Sequence, residues 1–598
     1  MNYIYHINIK QPDGEINSLP MRDGAERYCW IYLGNDYQSL KQIKSLCGSN
    51  RQLRIGNAFH LVAEKLKPEY LDYIANLSRA NQGSISWWAS GLASKSPFLS
   101  QLFKLLCYYE LITELISKRE DLLVFIDDQY LFESLKCAAL PGKISFIGKR
   151  ESLRSLLVKA VKTRLLAFYR WLKLRTLIRN LPKTDISSVE ILLFSWIMGG
   201  AFGEQGDFID HYLGDLKSYL ETQGKKTERL SYFFFPKQQI NEIKAGRETF
   251  LLPLSYISIF QMIRCVFSVF NFKFAQNKYF RGKDISILLK GERTQENIDD
   301  SFITHLAFYY ALLNIFKRSS KLETVIHPFE GQPWEKMLRI AVQTIRPNIR
   351  VAGYQHSSFA PFDLNYFLGP GEEDYSPLPD FLMANSDYNR KRLIEGGFSP
   401  ARAINIGSLR YSYLLNSNNS YDKAEQKRNS LLVCLPYDIT IASNMIDDLA
   451  PSMTKLKKNQ VISNIQIKSH PLAPYDPPEG SAKTELIEMM AQKVQGRLKE
   501  ALETADILLY CNGTVSIEGV YLNKKLIKYL PELDLDLDPL AYLEKDLFIK
   551  VGCGEELESA VISLLSNNNG LNHNKNMFDP VDYNKINELI LMRKDVKQ

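Results

Sequence analysis

Short apolar runs rich in Val, Ile, Leu and aromatic residues alternate with longer amphipathic stretches along almost the whole chain. Alternation of this kind predicts an α/β protein with parallel sheets covered by helices. In the first two-thirds, strands are expected at YIYHINI from Tyr3, YCWIYL from Tyr28, LLVFIDD from Leu122 and VEILLFSWI from Val189. They continue at SYFFFP from Ser231, TVIHPF from Thr324, RVAGYQH from Arg350, FLMANS from Phe381 and INIGSLR, Ile404 to Arg410. The polar stretch NSNNSYDKAEQKRNS then reads as a linker. A second α/β unit follows it, with strands at LLVCLP (from Leu431), IQIKSHP (Ile465 to Pro471), ADILLYC and KLIKYLP. A helix is expected around TELIEMMAQKVQGRLKEAL and a terminal one in YNKINELILMRKDVKQ.

The economical architecture is two Rossmann-like domains facing a central cleft. An enlarged N-terminal domain would span 1–405, a C-terminal domain 406–575, and a C-terminal helix 576–598. A length of 598 residues accords with several domains, and 45% hydrophobic with 24% charged residues excludes wholesale disorder. The eight cysteines are scattered without a CxxC pair, as in reduced, buried thiols. No secretory signal is expected, because MNYIYHINIKQPDGE has no basic region followed by an apolar one. Leu251–Phe270 approaches membrane-span length, but Gln261 and Arg264 near its centre favour a buried or shallowly inserted helix.

Net charge is a modest +7, yet between Lys149 and Lys183 eleven Lys or Arg stand against the single acid Glu151. Leu153, Leu156, Leu157, Val161, Leu165, Leu166, Tyr169, Leu172 and Leu174 recur there at helical spacing, with Trp171 beside them. A solvated basic face on a core-packed helix and contact with anionic lipid both fit. Nucleic acid fits less well, because no recognised nucleic-acid module accompanies the segment. Localisation is therefore expected in the cytoplasm, peripheral at the inner membrane.

Ligands in open parallel sheets bind beyond the carboxyl ends of the strands, so residues at strand ends matter most. In the second unit IKSHP ends a strand at His470-Pro471, and YCNGTVSIEG leads from a strand through a small turn into a helix. Asn512, Gly513, Thr514 and Ser516, with the free N–H groups of a helix start, would make an anion site. Glu518 could accept from ribose hydroxyls. The alternative is that Thr514 and Ser516 only cap the helix and His470 sits satisfied in the core. In the first unit TVIHPFEGQPWEK places Glu330 after one strand and RVAGYQHSS places His356 after the next. Such groups suit general acid–base chemistry, unless Glu330 caps the helix starting near Trp334. Asp207 and Asp210, in GGAFGEQGDFIDHYLGDL, are further acids that could reach the cleft. ELDLDLDP has Asp-x-Asp spacing but reads as a loop rather than a metal site. The absence of GxGxxG after the first strand argues against a dinucleotide-dependent oxidoreductase, and P-loop and GxSxG motifs are missing as well.

The paired units, the His-Pro of IKSHP and the NGTVSIEG turn resemble the GT-B glycosyltransferases of bacterial surface polysaccharide synthesis. They are most similar to enzymes using CMP-activated acidic sugars, the sialyltransferases, polysialyltransferases and Kdo transferases of capsule, O-antigen and lipopolysaccharide loci. HPFEGQPWEK and GYQHSS resemble the "surface carbohydrate biosynthesis protein" family. GYQHSS is also similar to a segment of the CDP-glycerol glycerophosphotransferases whose histidine is catalytic. The resemblance covers about 324–530 and departs from the family at Thr514-Val515-Ser516, where paired hydroxyl residues would stand. It implies transfer of Kdo or another nonulosonic acid from a CMP donor to a lipid-linked or polysaccharide acceptor at the membrane surface, with no metal and no nucleic acid. His470, Pro471, Asn512, Gly513, Thr514, Ser516 and Glu518 would hold the nucleotide. Glu330 or His356 would act as base, or Asp207, Asp210 or Glu330 as nucleophile in a retaining enzyme. A CDP-glycerol- or UDP-sugar-dependent transferase and a sugar-nucleotide epimerase of the same fold are the alternatives.

Overall fold

The computed structural model describes the chain except residues 8–27, 149, 180, 182–183, 199–200, 204–205, 234–235, 247, 269–273, 275–276, 416–428, 472, 476–490, 494–497, 544–546, 567–576 and 592–598. Three parallel sheets organise it. The first comprises β1 (Asn2–His6), β2 (Cys29–Leu33), β3 (Leu122–Ile126) and β4 (Ile144–Ile147), in the order β2-β3-β1-β4. The second begins with β5 (Ile191–Ile197) and β6 (Thr227–Phe233). After a small hairpin of β7 (Tyr279–Phe280) and β8 (Lys283–Asp284), it adds β9 (Thr324–Pro328), β10 (Arg350–Gln355), β11 (Phe381–Ala384) and β12 (Ala403–Asn405). Its order is β6-β5-β9-β10-β11-β12. The third holds β13 (Ser430–Cys434), β14 (Asn464–Lys468), β15 (Ala491–Lys493), β16 (Ile507–Tyr510), β17 (Lys525–Tyr529) and β18 (Phe548–Val551). Its order, β15-β14-β13-β16-β17-β18, is the 3-2-1-4-5-6 arrangement of a dinucleotide-binding sheet. The second and third sheets are the pair of Rossmann-like units expected from the sequence. The first sheet is an additional one, so the stretch up to residue 405 carries two sheets.

The apolar runs are continuous rather than alternating because both faces of these strands are covered. In β13, Leu431 and Val433 pack into one core with Ile465, Leu509 and Ile527, while Leu432 enters the opposite core with Leu508 and Leu526. Another core runs without a break from Ile31 and Val124 of the first sheet to Leu192, Val325 and Val351 of the second.

Some elements depart from the sequence reading. Residues 491–493 fall inside the expected helix 484–502 but pair in parallel with β14, because edge pairing outweighs the helical preference of Ala-Gln-Lys. A short helix, Leu498–Glu503, follows. β4 and β18 are four-residue edge strands, too short to leave a pattern. INIGSLR is strand only to Asn405, and the linker 416–428 lies outside the described residues. Within Leu251–Phe270 the α-helix is Ile259–Ser268, preceded by a 3-10 turn at Pro253–Ser255, and among the described residues no helix is long and apolar enough to cross a membrane.

The chain end returns to the second sheet. Ile586 and Ile590 join the core under β5 and β10, and Arg350 donates to the carbonyls of Leu589 and Ile590. The first sheet docks on the third through the starts of the helices Tyr37–Cys47, Gly56–Ala80 and Leu102–Lys118. The Ile55 and Gly56 N–H groups donate to Glu532, Lys104 pairs with Asp534 at 2.8 Å, and Tyr37 donates to Asp447.

Candidate active site

In the second sheet β5 and β9 stay paired only as far as Leu193 and Ile326, so the sheet opens toward their carboxyl ends. This is its topological switch point, where the strand order reverses. The loop after β9 is wound around one carboxylate. The N–H groups of Glu330, Gly331 and Gln332 donate to Glu335 at 2.9–3.2 Å, and Gln332 and Glu335 form a capping box on the helix Pro333–Ile345. Gly331 has φ +67°, and a Cβ there would meet the Asn365 carbonyl at 2.2 Å, so only glycine closes this turn.

Because Glu335 caps the helix, Glu330 does not. Its carboxyl instead faces His356 at the end of β10, Oε1 to Nε2 3.5 Å, with the Glu330 side chain 35% exposed and that of His356 5%. Burial raises the Glu330 pKa, against the pull of the Arg410 guanidinium. Burial and the same guanidinium hold the His356 pKa well below the usual histidine value, so the imidazole is neutral. Its Nδ1 is buried and has no hydrogen-bond partner among the described residues. The Tyr212 ring lies edge-on to His356, centroids 4.8 Å apart. A base and a neutral imidazole side by side can take up and hand on a proton.

Asp363 lies close enough to Glu330 for each charge to be felt, and burial lifts its pKa to about 7. Lys67, in the helix Gly56–Ala80 between β2 and β3, and Asp536, following β17, act on it too. All three sheets thus contribute to this region.

Asp210 has a structural job. Its Oδ1 accepts from Ser195 Oγ at 2.8 Å and from the Tyr212 and Leu213 N–H groups, and Arg229 lies 3.6 Å from its other oxygen. Fixed so, it sets the loop that carries Tyr212. Asp207, three residues earlier, is exposed.

In the third sheet β14 and β16 flank β13, so the segments following these three strands are neighbours at its switch point. His470 lies just past β14 and is half-buried, with the Tyr437 ring edge-on at 5.4 Å and its pKa lowered by burial. Pro471, which follows it, is exposed. Asn512, Gly513 and Thr514 form the half-buried turn after β16, Gly513 at φ +91°. Thr514 precedes the helix Val515–Tyr521 without a side-chain cap bond. Ser516 points inward instead, its single hydroxyl proton shared between the Gly513 carbonyl at 2.9 Å and Asp538 at 3.1 Å. Glu518 is buried and accepts from Tyr413 at 2.9 Å, its pKa raised by burial. Ser516 and Glu518 therefore brace the turn, and Asn512–Thr514 present it.

The acids of ELDLDLDP are engaged by protein groups. Lys528, itself buried, binds Asp536 at 2.7 Å and Asp538 at 3.1 Å, and Asp538 also accepts from Tyr510. Among the described residues no group of three or more His, Cys, Asp or Glu is arranged to hold a metal ion.

Arg410, not singled out by the sequence reading, links the two clusters. It lies in the connection leaving β12, and its charge acts on Glu330, His356 and Glu518. Its guanidinium sits 5.0 Å from the Tyr411 ring and 5.9 Å from the Tyr212 ring. Among the described residues it makes no ion pair. The signal was present in the sequence: Gly407, at φ +81° and packed on Pro580, ends the strand early, so the following Ser-Leu-Arg belongs to a loop at the sheet's carboxyl edge.

No known family model matches the sequence, and no curated protein matches it. Among solved structures, a UDP-GlcNAc 2-epimerase from Methanocaldococcus jannaschii is similar at TM-score 0.40 and 12% identity, covering 68% of this chain and 100% of its own. A UDP-N-acetylglucosamine 2-epimerase from Rickettsia bellii gives 0.39 and 12%, over 68% and 95%. The Neisseria meningitidis UDP-GlcNAc 2-epimerase bound to UDP-GlcNAc gives 0.37 and 11%, over 67% and 100%.

Proposed function

We propose that the chain is an enzyme acting on a nucleotide-activated sugar and breaking the bond between its anomeric carbon and the nucleotide phosphate. The observation that carries this is the Glu330–His356 pair, 3.5 Å apart at adjacent strand ends, with the Arg410 charge reaching both it and Glu518 of the facing unit. Asn512–Thr514 and His470 would hold the nucleotide phosphate, and Arg410 would stabilise the charge that develops as the bond breaks. That cation and the turn's N–H groups are the chain's own electrostatic stabilisers of the leaving group.

Epimerisation is the reading the pair favours. Inverting the carbon beside the anomeric centre removes its proton as the nucleotide phosphate leaves, giving a C1=C2 double bond. A proton then returns to the opposite face as the phosphate oxygen adds back to the anomeric carbon. Glu330 and His356 supply two titratable groups for this, where transfer to a hydroxyl needs one base. Transfer is the second reading, with a CMP-activated acidic sugar as donor and a lipid-linked acceptor at the inner membrane face. The exposed basic helix at 153–178 favours it.

The deciding experiment incubates the purified protein with UDP-, CMP- and CDP-activated sugars in deuterated water, with and without acceptor lipid. Deuterium entering the sugar without acceptor establishes epimerisation. Nucleotide release that depends on acceptor establishes transfer. Absence of both signals with every donor overturns the proposal.

A further inference from the structure

The helix Leu153–Ile178 is apolar on two opposite faces. Leu156, Ala160, Ala167, Trp171 and Ile178 point into the protein, and Arg164 beside them donates to Asn297 at 2.9 Å. At about 100° per residue, Leu157, Val161, Leu165, Tyr169 and Leu172 fall on the far side. Leu165 is 65% exposed and Tyr169 58%. Lys159, Lys162, Arg170 and Lys173 run along one flank of this outer stripe; Lys159 and Arg170 pair with Glu151 and Asp300 at 2.6 and 2.7 Å, and the helix itself contains no acidic residue.

A second helix extends the outer surface. Ile259–Ser268 packs beside the first, which is tied to its start by a hydrogen bond from Arg175 to the Ile257 carbonyl at 3.0 Å. It buries Met262 and Cys265 but leaves Phe260 81% and Phe267 60% exposed. A surface of this size, aromatic and aliphatic at its centre and basic at its edge, does not stand open to water without a partner.

We propose that these two helices form a membrane-docking surface for an anionic bilayer, the apolar stripe lying shallowly among the acyl chains and the flanking lysines and arginines among the headgroups. The charge pattern selects this occupant. A second copy of the chain would set like charge against like, whereas anionic headgroups complement it. The inference deepens the reading of a membrane-apposed acceptor, and it stands or falls separately from the choice of donor.

The test is flotation of the full-length protein with phosphatidylglycerol/phosphatidylethanolamine vesicles and with phosphatidylcholine vesicles, at low and physiological salt. The parent should bind the anionic vesicles at least tenfold more tightly, with salt weakening the attachment over a screening length of about 8–10 Å. Replacing Lys162 and Lys173 by Gln should abolish most of that preference. Leu165→Glu with Phe260→Glu should release the protein at every salt concentration. Failure of the parent to bind anionic vesicles, or equal binding to both kinds, overturns the proposal. A dimer that Leu165→Glu dissociates would show instead that another copy covers the face. Nucleotide binding by the same samples, read by calorimetry, reports the donor site separately and should be unchanged in every variant.

Discussion

The second and third sheets share a parallel, doubly wound plan, yet the ends of their strands are used differently. Beyond β9 and β10 the titratable groups are turned toward one another and toward the opening: Glu330 meets His356, and the capping that would have occupied Glu330 falls to Glu335. Beyond β14 and β16 the charged and hydroxyl groups are turned into the protein. Ser516 binds Asp538, Glu518 binds Tyr413, and Lys528 neutralises two aspartates. What remains presented there is a glycine turn with its N–H groups and a half-buried histidine. Similar topology thus presents a facing acid and imidazole on one side and a glycine turn on the other, with the Arg410 charge acting on both Glu330 and Glu518.

Four substitutions sharpen or break this contrast. Glu330→Gln keeps shape but removes the base, and turnover should fall by about 10³-fold, within the usual range for a general base. Steady-state kinetics with the active donor checks it, and near-parental turnover would move the chemistry elsewhere. On the other sheet, His470→Ala should cost about 10²-fold in kcat/KM and weaken nucleotide binding, the scale of one lost electrostatic donor.

Lys528→Met tests the claim that the acids of the third sheet are structural. It leaves Asp536 and Asp538 without their buried partner, and breaking such a pair costs about 3–5 kcal/mol. A lowered thermal midpoint is the expected outcome, and unchanged stability would mean these carboxylates have another cation to bind.

Arg410→Met addresses the link. The guanidinium favours the Glu330 carboxylate and disfavours an imidazolium at His356, so its loss raises both pKa values. Burial already places the Glu330 titration above the ordinary carboxylate range of about 4.3. The acid limb of the pH–rate profile should therefore move further up. A limb that stays in place would separate Arg410 from the pair.

Much of this was legible in the sequence, for physical reasons that also explain what was not. Strands covered on both faces leave dense apolar runs, so β5, β9, β10, β13 and β16 were readable, and so were Glu330 and His356 beyond β9 and β10. β14, with its alternating burial, was readable as well, with His470 beyond it. Short edge strands such as β4 and β18 bury too little to leave such a run. Three of the first sheet's four strands were readable, but not as a separate layer, since strand order is a long-range property. Asp210 and Glu330 look alike in sequence, each an acid in a loop after a strand. Only the fold shows that Asp210 is held by Ser195 and two backbone N–H groups, and that a neighbour frees Glu330 from capping. Arg410 was missed because its loop read as strand.

The division of labour between the two sheets is tested most directly by calorimetric titration of the nucleotide into the parent, Glu330→Gln and His470→Ala proteins, with donor cleavage measured on the same samples. The account predicts that Glu330→Gln binds nucleotide as the parent does but does not cleave the donor, whereas His470→Ala loses affinity. Loss of nucleotide binding in Glu330→Gln together with parental binding in His470→Ala would contradict it.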